Sequence, residues 1–206
     1  MITDTRQQNA NRQLPNVSAD SDDIWLFGYG SLIYKVDFPF LEQRPAKIFN
    51  WQRRFWQGSH DHRGTPESPG RVATLIEAPG ASCEGMAFRV EASVFEQLDY
   101  REKNGYLRFK TDLHFADNEV NTGITYIATT DNTAYLGPAS EKDIASHIAR
   151  SAGESGDNSD YLLQLAQALR QLEVDDPHVF EIEYWLTHAA NSNLPDTTQN
   201  IAHKTR

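Results

Sequence analysis

The apolar residues of this chain change their spacing once, near Thr130, and that change constrains the fold more than any other feature. From Ile24 to about Thr130 they come in short segments: IWLFGYG, AKIFNWQRRFW, RVATLIEA, EGMAFRV, LRFKTDLHF and GITYIAT. β-branched and aromatic residues in partial alternation are the pattern of strands with one buried face. Pro and Gly punctuate the gaps, notably in HRGTPESPG and APGAS, so six strands are expected. One short helix interrupts them, Val94 to Tyr100, with Ser93 placed as its N-cap. Beyond Thr130 the period is helical. Glu141 to Arg150 sets Ile144, Ala145 and Ile148 on one face, and Ser159 to Leu172 repeats leucine at 162, 165, 169 and 172, capped by Asn158 or Ser159. Pro177 opens a last helix carrying Val179, Phe180, Ile182 and Trp185. Strands followed by helices indicate an α+β fold with a mostly antiparallel sheet, for which closure into a barrel is one arrangement.

The ends have a different character. Residues 1–22 and 188–206 are polar and aperiodic, and are expected to be flexible extensions around one domain, residues 23–187. No apolar run approaches the roughly 20 residues that span a bilayer, which argues against a membrane protein. The N-terminus lacks the apolar core of a secretory signal, and Cys83 is the only cysteine, so no intramolecular disulfide can form. Both features point to a reducing, cytoplasmic setting. The net charge of −10 argues against nucleic acid, whose binding rests on neutralising phosphates. Against that acidity, the segment from Arg44 to Arg71 carries Arg44, Lys47, Arg53, Arg54, Arg63 and Arg71 against only Asp61 and Glu67. It is either a solvated stripe or an attractor for a small anion.

Four stretches stand out chemically. Phe27-Gly28-Tyr29-Gly30-Ser31-Leu32 ends the first strand, and two glycines one residue apart let backbone N–H groups approach a ligand carboxylate or oxyanion, or simply make a tight turn. Ile33 stands where a dinucleotide fingerprint needs glycine, and no Gly-Lys-Ser/Thr follows. Trp51 to Gly58 interleaves basic and aromatic residues; strand alternation makes it a core strand with an arginine at its rim rather than a base-stacking surface. Asp99 to Tyr106 places Glu102 between Arg101 and Lys103, in a helix-to-strand connection where it is either merely solvated or presented as an ionised base. Asp131 to Pro138 is a turn-rich loop. His60-Asp61-His62 lacks a third metal ligand at useful spacing, and Ser31 does not sit in a nucleophile elbow.

In this order and spacing the chain resembles the ChaC-like, glutathione-specific γ-glutamylcyclotransferases. The resemblance rests on FGYGSLIYKVDFPF, RRFWQGSHDHRGTPESPGRVATL, LDYREKNGY, DNTAYLGPA and DIASHIARSAGESGDNSDYLLQLA, about residues 24 to 175. It implies the γ-glutamylcyclotransferase-like fold, a mostly antiparallel β-barrel flanked by helices, and conversion of glutathione to 5-oxoproline and Cys-Gly, with no cofactor and no metal. By the same resemblance Glu102 is the catalytic base, and Leu26, Phe27, Gly28, Tyr29, Gly30 and Ser31 form the substrate-holding loop. Tyr34 departs from the tryptophan usual there, and Asn104 from the usual glycine.

The implied reaction is an intramolecular aminolysis: Glu102 takes a proton from the α-ammonium, which then attacks its own γ-carbonyl. The N–H groups of Tyr29 to Ser31 would bind the α-carboxylate or the oxyanion. Arg53 and Arg54 would attract the anionic substrate, and Tyr135 would close one wall. Two alternatives stand beside this reading: a cyclotransferase for other γ-glutamyl amino acids or amines, and a non-catalytic ligand-binding regulator on the same fold. The oligomeric state is not legible.

Overall fold

The computed structural model describes residues 23–101 and 105–189. Five strands form a closed barrel: β1 (Asp23–Gly28), β2 (Glu42–Ser59), β3 (Gly70–Glu91), β4 (Tyr106–His114) and β5 (Val120–Ala128), in the order β1-β3-β2-β4-β5. All neighbours are antiparallel except β1 and β5, which close the barrel in parallel from Trp25 opposite Gly123 to Phe27 opposite Thr125. A 3-10 turn, Ser31–Ile33, follows β1, and α1 (Val94–Arg101) links β3 to β4. The helical half contains α2 (Glu141–Ile148), a two-residue ribbon of β6 (Ala152–Gly153) and β7 (Gly156–Asp157), α3 (Asn158–Gln171) and α4 (Pro177–Ala189). The expected extensions lie outside the described residues, apart from His188 and Ala189, with which α4 ends.

Five strands stand where six were expected, because RVATLIEA and EGMAFRV are one strand. Pairing of β2 with β3 skips from Phe49 opposite Ser82 to Trp51 opposite Glu77, so residues 78–81 bulge out opposite Asn50. Gly80 (φ 84°) and Asn50 (φ 66°) both take left-handed backbone, and Asn50 Oδ1 accepts the Gly80 N–H at 3.0 Å. Pro79-Gly80 is thus a bulge within a continuing ladder rather than a turn that ends one.

The helices bury the faces their spacing predicted. Ile144, Ala145 and Ile148 of α2 and Leu162, Leu165 and Leu169 of α3 are buried against the barrel together with Val179 and Ile182 of α4. At roughly 1.5–3 kcal/mol for each such aliphatic side chain, this seam is a main source of stability. A second cluster lies under α1, where Val94, Phe95 and Leu98 meet Leu26, Phe88 and Ile124. Ser140 caps α2 through the Asp143 N–H at 3.1 Å. Asn158, expected as a cap, instead braces a strand. Wholly buried, it accepts the Arg71 N–H at 2.7 Å and donates to the Arg71 carbonyl at 2.9 Å. It completes the β-type pairing of Arg71 with a side chain instead of a strand.

Arg53 also departs from expectation. It stands inside the molecule, 2% exposed, rather than at a rim. Its Nε donates to the Tyr29 carbonyl at 2.6 Å, Nη2 to the Glu84 carbonyl and Nη1 to Asp176. Burial of the charge is offset by these three acceptors, and Asp176 keeps it ionised. Asp176 in turn accepts the Val179 N–H at 3.1 Å, tying the pair to the start of α4. The neighbouring Cys83 thiol is pushed up by burial to about 11, so it stays protonated. Nearby, His178 Nε2 accepts the Phe55 N–H at 3.0 Å while Nδ1 faces Glu141 at 3.0 Å, which places the proton on Nδ1. Burial lowers the pKa of this imidazole and favours its neutral form.

Most of the basic segment is therefore structural. Arg44 pairs with Asp117 and Glu119, each at 2.6 Å, Lys47 pairs with Glu84 at 2.8 Å, and Arg71 donates to the Phe55 and Gly137 carbonyls. Replacing Arg53 by methionine leaves Asp176 without its cation, and denaturant unfolding is expected to show a loss of about 3–5 kcal/mol. The double variant Arg53→Met, Asp176→Asn is expected to recover part of it.

Candidate active site

The glycine loop and the two flanks of the segment that carries Glu102 come to one cavity. It has a volume of about 1230 Å³, above the roughly 300–1,000 Å³ usual for a small-molecule site, and it is open to solvent. Ser31 and Tyr34 line one side; Tyr100, Gly105 and Tyr106, which bracket residues 102–104, line another. The turn from Gly58 to Arg63 and the loop from Asp131 to Ala134 complete the walls. All four stretches singled out in the sequence thus supply lining residues, the Trp51–Gly58 stretch only through Gly58.

Within the glycine loop the residues divide by role. Leu26, Phe27 and Tyr29 are buried side chains of the core, Gly28 lies at the end of β1, and only Ser31 of the six lines the cavity. Tyr29 donates its hydroxyl to the Tyr126 carbonyl at 2.8 Å, and Thr125 donates to the Phe27 carbonyl at 3.1 Å. With Arg53 on the Tyr29 carbonyl, the loop is held from both sides. Its glycines are needed for close approach rather than for handedness, since Gly30 has φ −120°. A Cβ on Gly28 would lie 2.5 Å from the Leu32 Cβ, and one on Gly30 would lie 2.9 Å from the Tyr161 hydroxyl. That hydroxyl accepts the Ala73 N–H at 3.3 Å, which seats α3 against the loop.

Glu102 itself lies outside the described residues. Its flanks are clamped. Arg108 of β4 donates from Nε to Asp99 at 2.7 Å, pairs again with Asp99 through Nη2, and donates to the Phe95 carbonyl at 3.1 Å. Tyr126 donates to the same carboxylate at 2.7 Å, and burial raises its pKa far above the phenol's ordinary value. On the other side Asn132 donates to the Gly105 carbonyl at 2.8 Å. Gly105 has φ 90°, and a Cβ there would lie 2.3 Å from the Asn132 amide, so only glycine fits. The connection is fastened three residues before Glu102 and three after it.

Other expectations move. Arg53 and Arg54 do not line the cavity, and neither does Tyr135, whose neighbours Thr133 and Ala134 do. The His60-Asp61-His62 stretch gains the third ligand its spacing lacked: Glu154, from the β6–β7 turn, has its carboxylate within 4.8 Å of the ligand atoms of Asp61 and His62. These groups are partly or fully exposed and bonded locally, His62 to Ser155 at 3.0 Å and Asp61 to the His62 N–H at 2.6 Å. Residues the sequence did not single out also line the site, above all Tyr161, which reads there only as one aromatic on a leucine-rich helix.

A family model for ChaC-like proteins matches residues 24–189. The chain belongs to the ChaC-like family. Within it, the chain is 44% identical over 180 residues to glutathione-specific γ-glutamylcyclotransferase 1 of Danio rerio, covering 82% of this chain and 91% of that one. It is 42% identical to γ-glutamylcyclotransferase 2-3 of Arabidopsis thaliana, covering 80% and 89%. The crystal structure of the γ-glutamylcyclotransferase specific to glutathione from yeast superposes with a TM-score of 0.76 at 31% identity, over 82% of this chain and 97% of that chain. The ChaC-like barrel expected from the motifs is the barrel observed.

The clamp on the catalytic-candidate connection has a measurable consequence. Arg108→Met removes both bonds to Asp99 without touching the cavity wall. It is expected to lower turnover by about 10-fold or more while the protein stays folded by circular dichroism, because displacement of a catalytic group by about 1 Å is costly.

Proposed function

We propose that this ChaC-like protein is a glutathione-specific γ-glutamylcyclotransferase that converts glutathione to 5-oxoproline and Cys-Gly, with Glu102 as general base. The observation that carries the reading is the convergence, on one cavity, of the glycine loop with the two ends of the Glu102 connection. The relatives named for this activity, which align over most of the chain, support it.

The γ-glutamyl unit carries its own nucleophile. Glu102 accepts a proton from the α-ammonium, the freed amine attacks the γ-carbonyl carbon, and a five-membered lactam closes. As the C–N bond breaks, Glu102 returns that proton to the cysteine nitrogen and then relays the second proton shed by the lactam nitrogen, so Cys-Gly leaves with its amine protonated and no external acid and no water are consumed. The protein has chiefly to fold the chain of the substrate. Tethered reactants in good geometry reach effective molarities of about 10⁵ M or more. A glycine loop held rigidly by Arg53, Tyr29 and Tyr161 suits an anion, the α-carboxylate or the developing oxyanion, received by the backbone N–H groups around Tyr29 to Ser31.

Among the described residues no helix is long and apolar enough to cross a membrane. A single buried thiol and a glutathione substrate together suit a reducing cytosol.

Glu102→Gln keeps the side chain's shape and removes its basicity. Release of 5-oxoproline and Cys-Gly from glutathione is expected to fall by about 100-fold or more in that variant, with an unchanged melting temperature. Equal activity in the two proteins would remove Glu102 from the mechanism.

A further inference from the structure

Among the described residues that line the cavity, only Lys35 and Arg63 carry a fixed positive charge. Lys35 is exposed, whereas Arg63 is 8% exposed. A guanidinium so nearly removed from water needs acceptors: Arg53 faces the Asp176 carboxylate, Arg108 faces the Asp99 carboxylate, and Arg71, 7% exposed and away from the cavity, is met by the Phe55 and Gly137 carbonyls. Arg63, which does line the cavity, faces no carboxylate among the described residues. Its Nη1 donates to the Asp157 carbonyl at 2.9 Å, and its guanidinium lies 5.9 Å from the centroid of the Tyr161 ring. The nearest acid in sequence, Asp61, turns to the His62 N–H at 2.6 Å and to Ser59.

The surroundings hold this arginine in place. The Arg63 N–H donates to the Ser59 hydroxyl at 3.0 Å, and the β6–β7 ribbon packs on the turn through Glu154 N–H to the Asp61 carbonyl (2.9 Å) and Ser155 N–H to the His62 carbonyl (3.0 Å). Tyr161 separates the arginine from the glycine loop: the phenol hydroxyl stands at Gly30, and Arg63 lies over the ring. The cavity therefore has two places for negative charge, the loop and the arginine, with a tyrosine ring between them.

We propose that Arg63 binds the glycine carboxylate of the tripeptide and thereby makes this site select glutathione over γ-glutamyl compounds that end in an uncharged group. The assignment rests on the proposed function. The reacting γ-glutamyl end must lie between the glycine loop and the Glu102 connection, so its α-carboxylate stays on that side. The departing Cys-Gly arm projects away by up to two residues, roughly 7 Å when extended, towards the wall built by the Gly58–Arg63 turn. There a buried guanidinium gives a charge-assisted, two-pronged contact that an amide cannot return. A site built to pair a charge rejects the analogue that lacks it.

The test compares kcat/KM for glutathione and for the same tripeptide with its glycine carboxylate as carboxamide, in the wild type and in Arg63→Gln. Each protein is its own control, because a loss of folded fraction affects both substrates alike. The wild type is expected to favour glutathione by about 10-fold or more, through KM, and Arg63→Gln to treat the two within about twofold. Arg63→Lys, which keeps the charge and loses the fork, is expected to retain an intermediate preference and serves if the glutamine variant does not fold. Undiminished preference in Arg63→Gln overturns the assignment. So does a selective defect of Arg63→Gln on γ-glutamyl substrates that is abolished when the substrate is 4-aminobutanoyl-Cys-Gly, which lacks only the α-carboxylate. If the wild type turns over neither tripeptide, the proposed function fails separately. Calorimetric binding of glutathione against its carboxamide then still decides whether Arg63 reads that carboxylate.

Discussion

The buried guanidinium of Arg53 is the interaction on which the other parts of the structure depend. Three chain segments distant in sequence meet on it: the glycine loop at Tyr29, strand β3 at Glu84, and the start of α4 at Asp176. The barrel could close without it, but backbone pairing of the loop with the sheet ends at Gly28, and beyond that point the Tyr29 hydroxyl on the Tyr126 carbonyl would remain as the tie to β5. A guanidinium supplies five donors in a fixed plane, so it can hold three acceptors at fixed angles where a lysine could not. The site's rigidity thus comes at the cost of a charge in the core, and the helical half is needed to neutralise that charge through Asp176.

The same logic recurs at the other wall. Arg108 and Asp99 join α1 to β4 across the segment that contains Glu102, and Tyr126 completes the network from β5. Together the two arginine networks set the glycine loop and the residues before and after the Glu102 segment relative to one barrel. For a reaction whose nucleophile and electrophile belong to one small substrate, this relative placement is the greater part of catalysis. In a protein with a net charge of −10, the buried strand arginines serve as internal fasteners, Arg53 on a carboxylate and Arg71 on backbone carbonyls, while Arg63 is the buried arginine that lines the cavity.

Much of this was legible in the sequence. The change of period at Thr130, the leucine spacing of α3 and the faces of α2 lead directly to the observed elements, because a half-buried strand and an amphipathic helix leave different periodicities. The motif order led to the ChaC-like family and to the barrel. Other features were hidden for physical reasons. Pro79-Gly80 has the composition of a turn, and only the pairing partner Asn50 shows that the ladder resumes after it. Arg53 on an alternating strand reads as a rim residue, since nothing local announces Asp176, 123 residues later. Asn158 reads as a cap, while its burial against Arg71 depends on tertiary packing. The third partner of His62 and the role of Tyr161 are likewise long-range.

The central claim is that the γ-glutamyl group cyclises in this cavity rather than being hydrolysed. It is tested most directly by turning over glutathione in water enriched in oxygen-18 and weighing the γ-glutamyl product. The expected product is 5-oxoproline with no incorporated label, since the amine of the substrate and not water attacks the carbonyl. Glutamate carrying one labelled oxygen would mean that water is the nucleophile, and would contradict cyclisation whatever the role of Glu102.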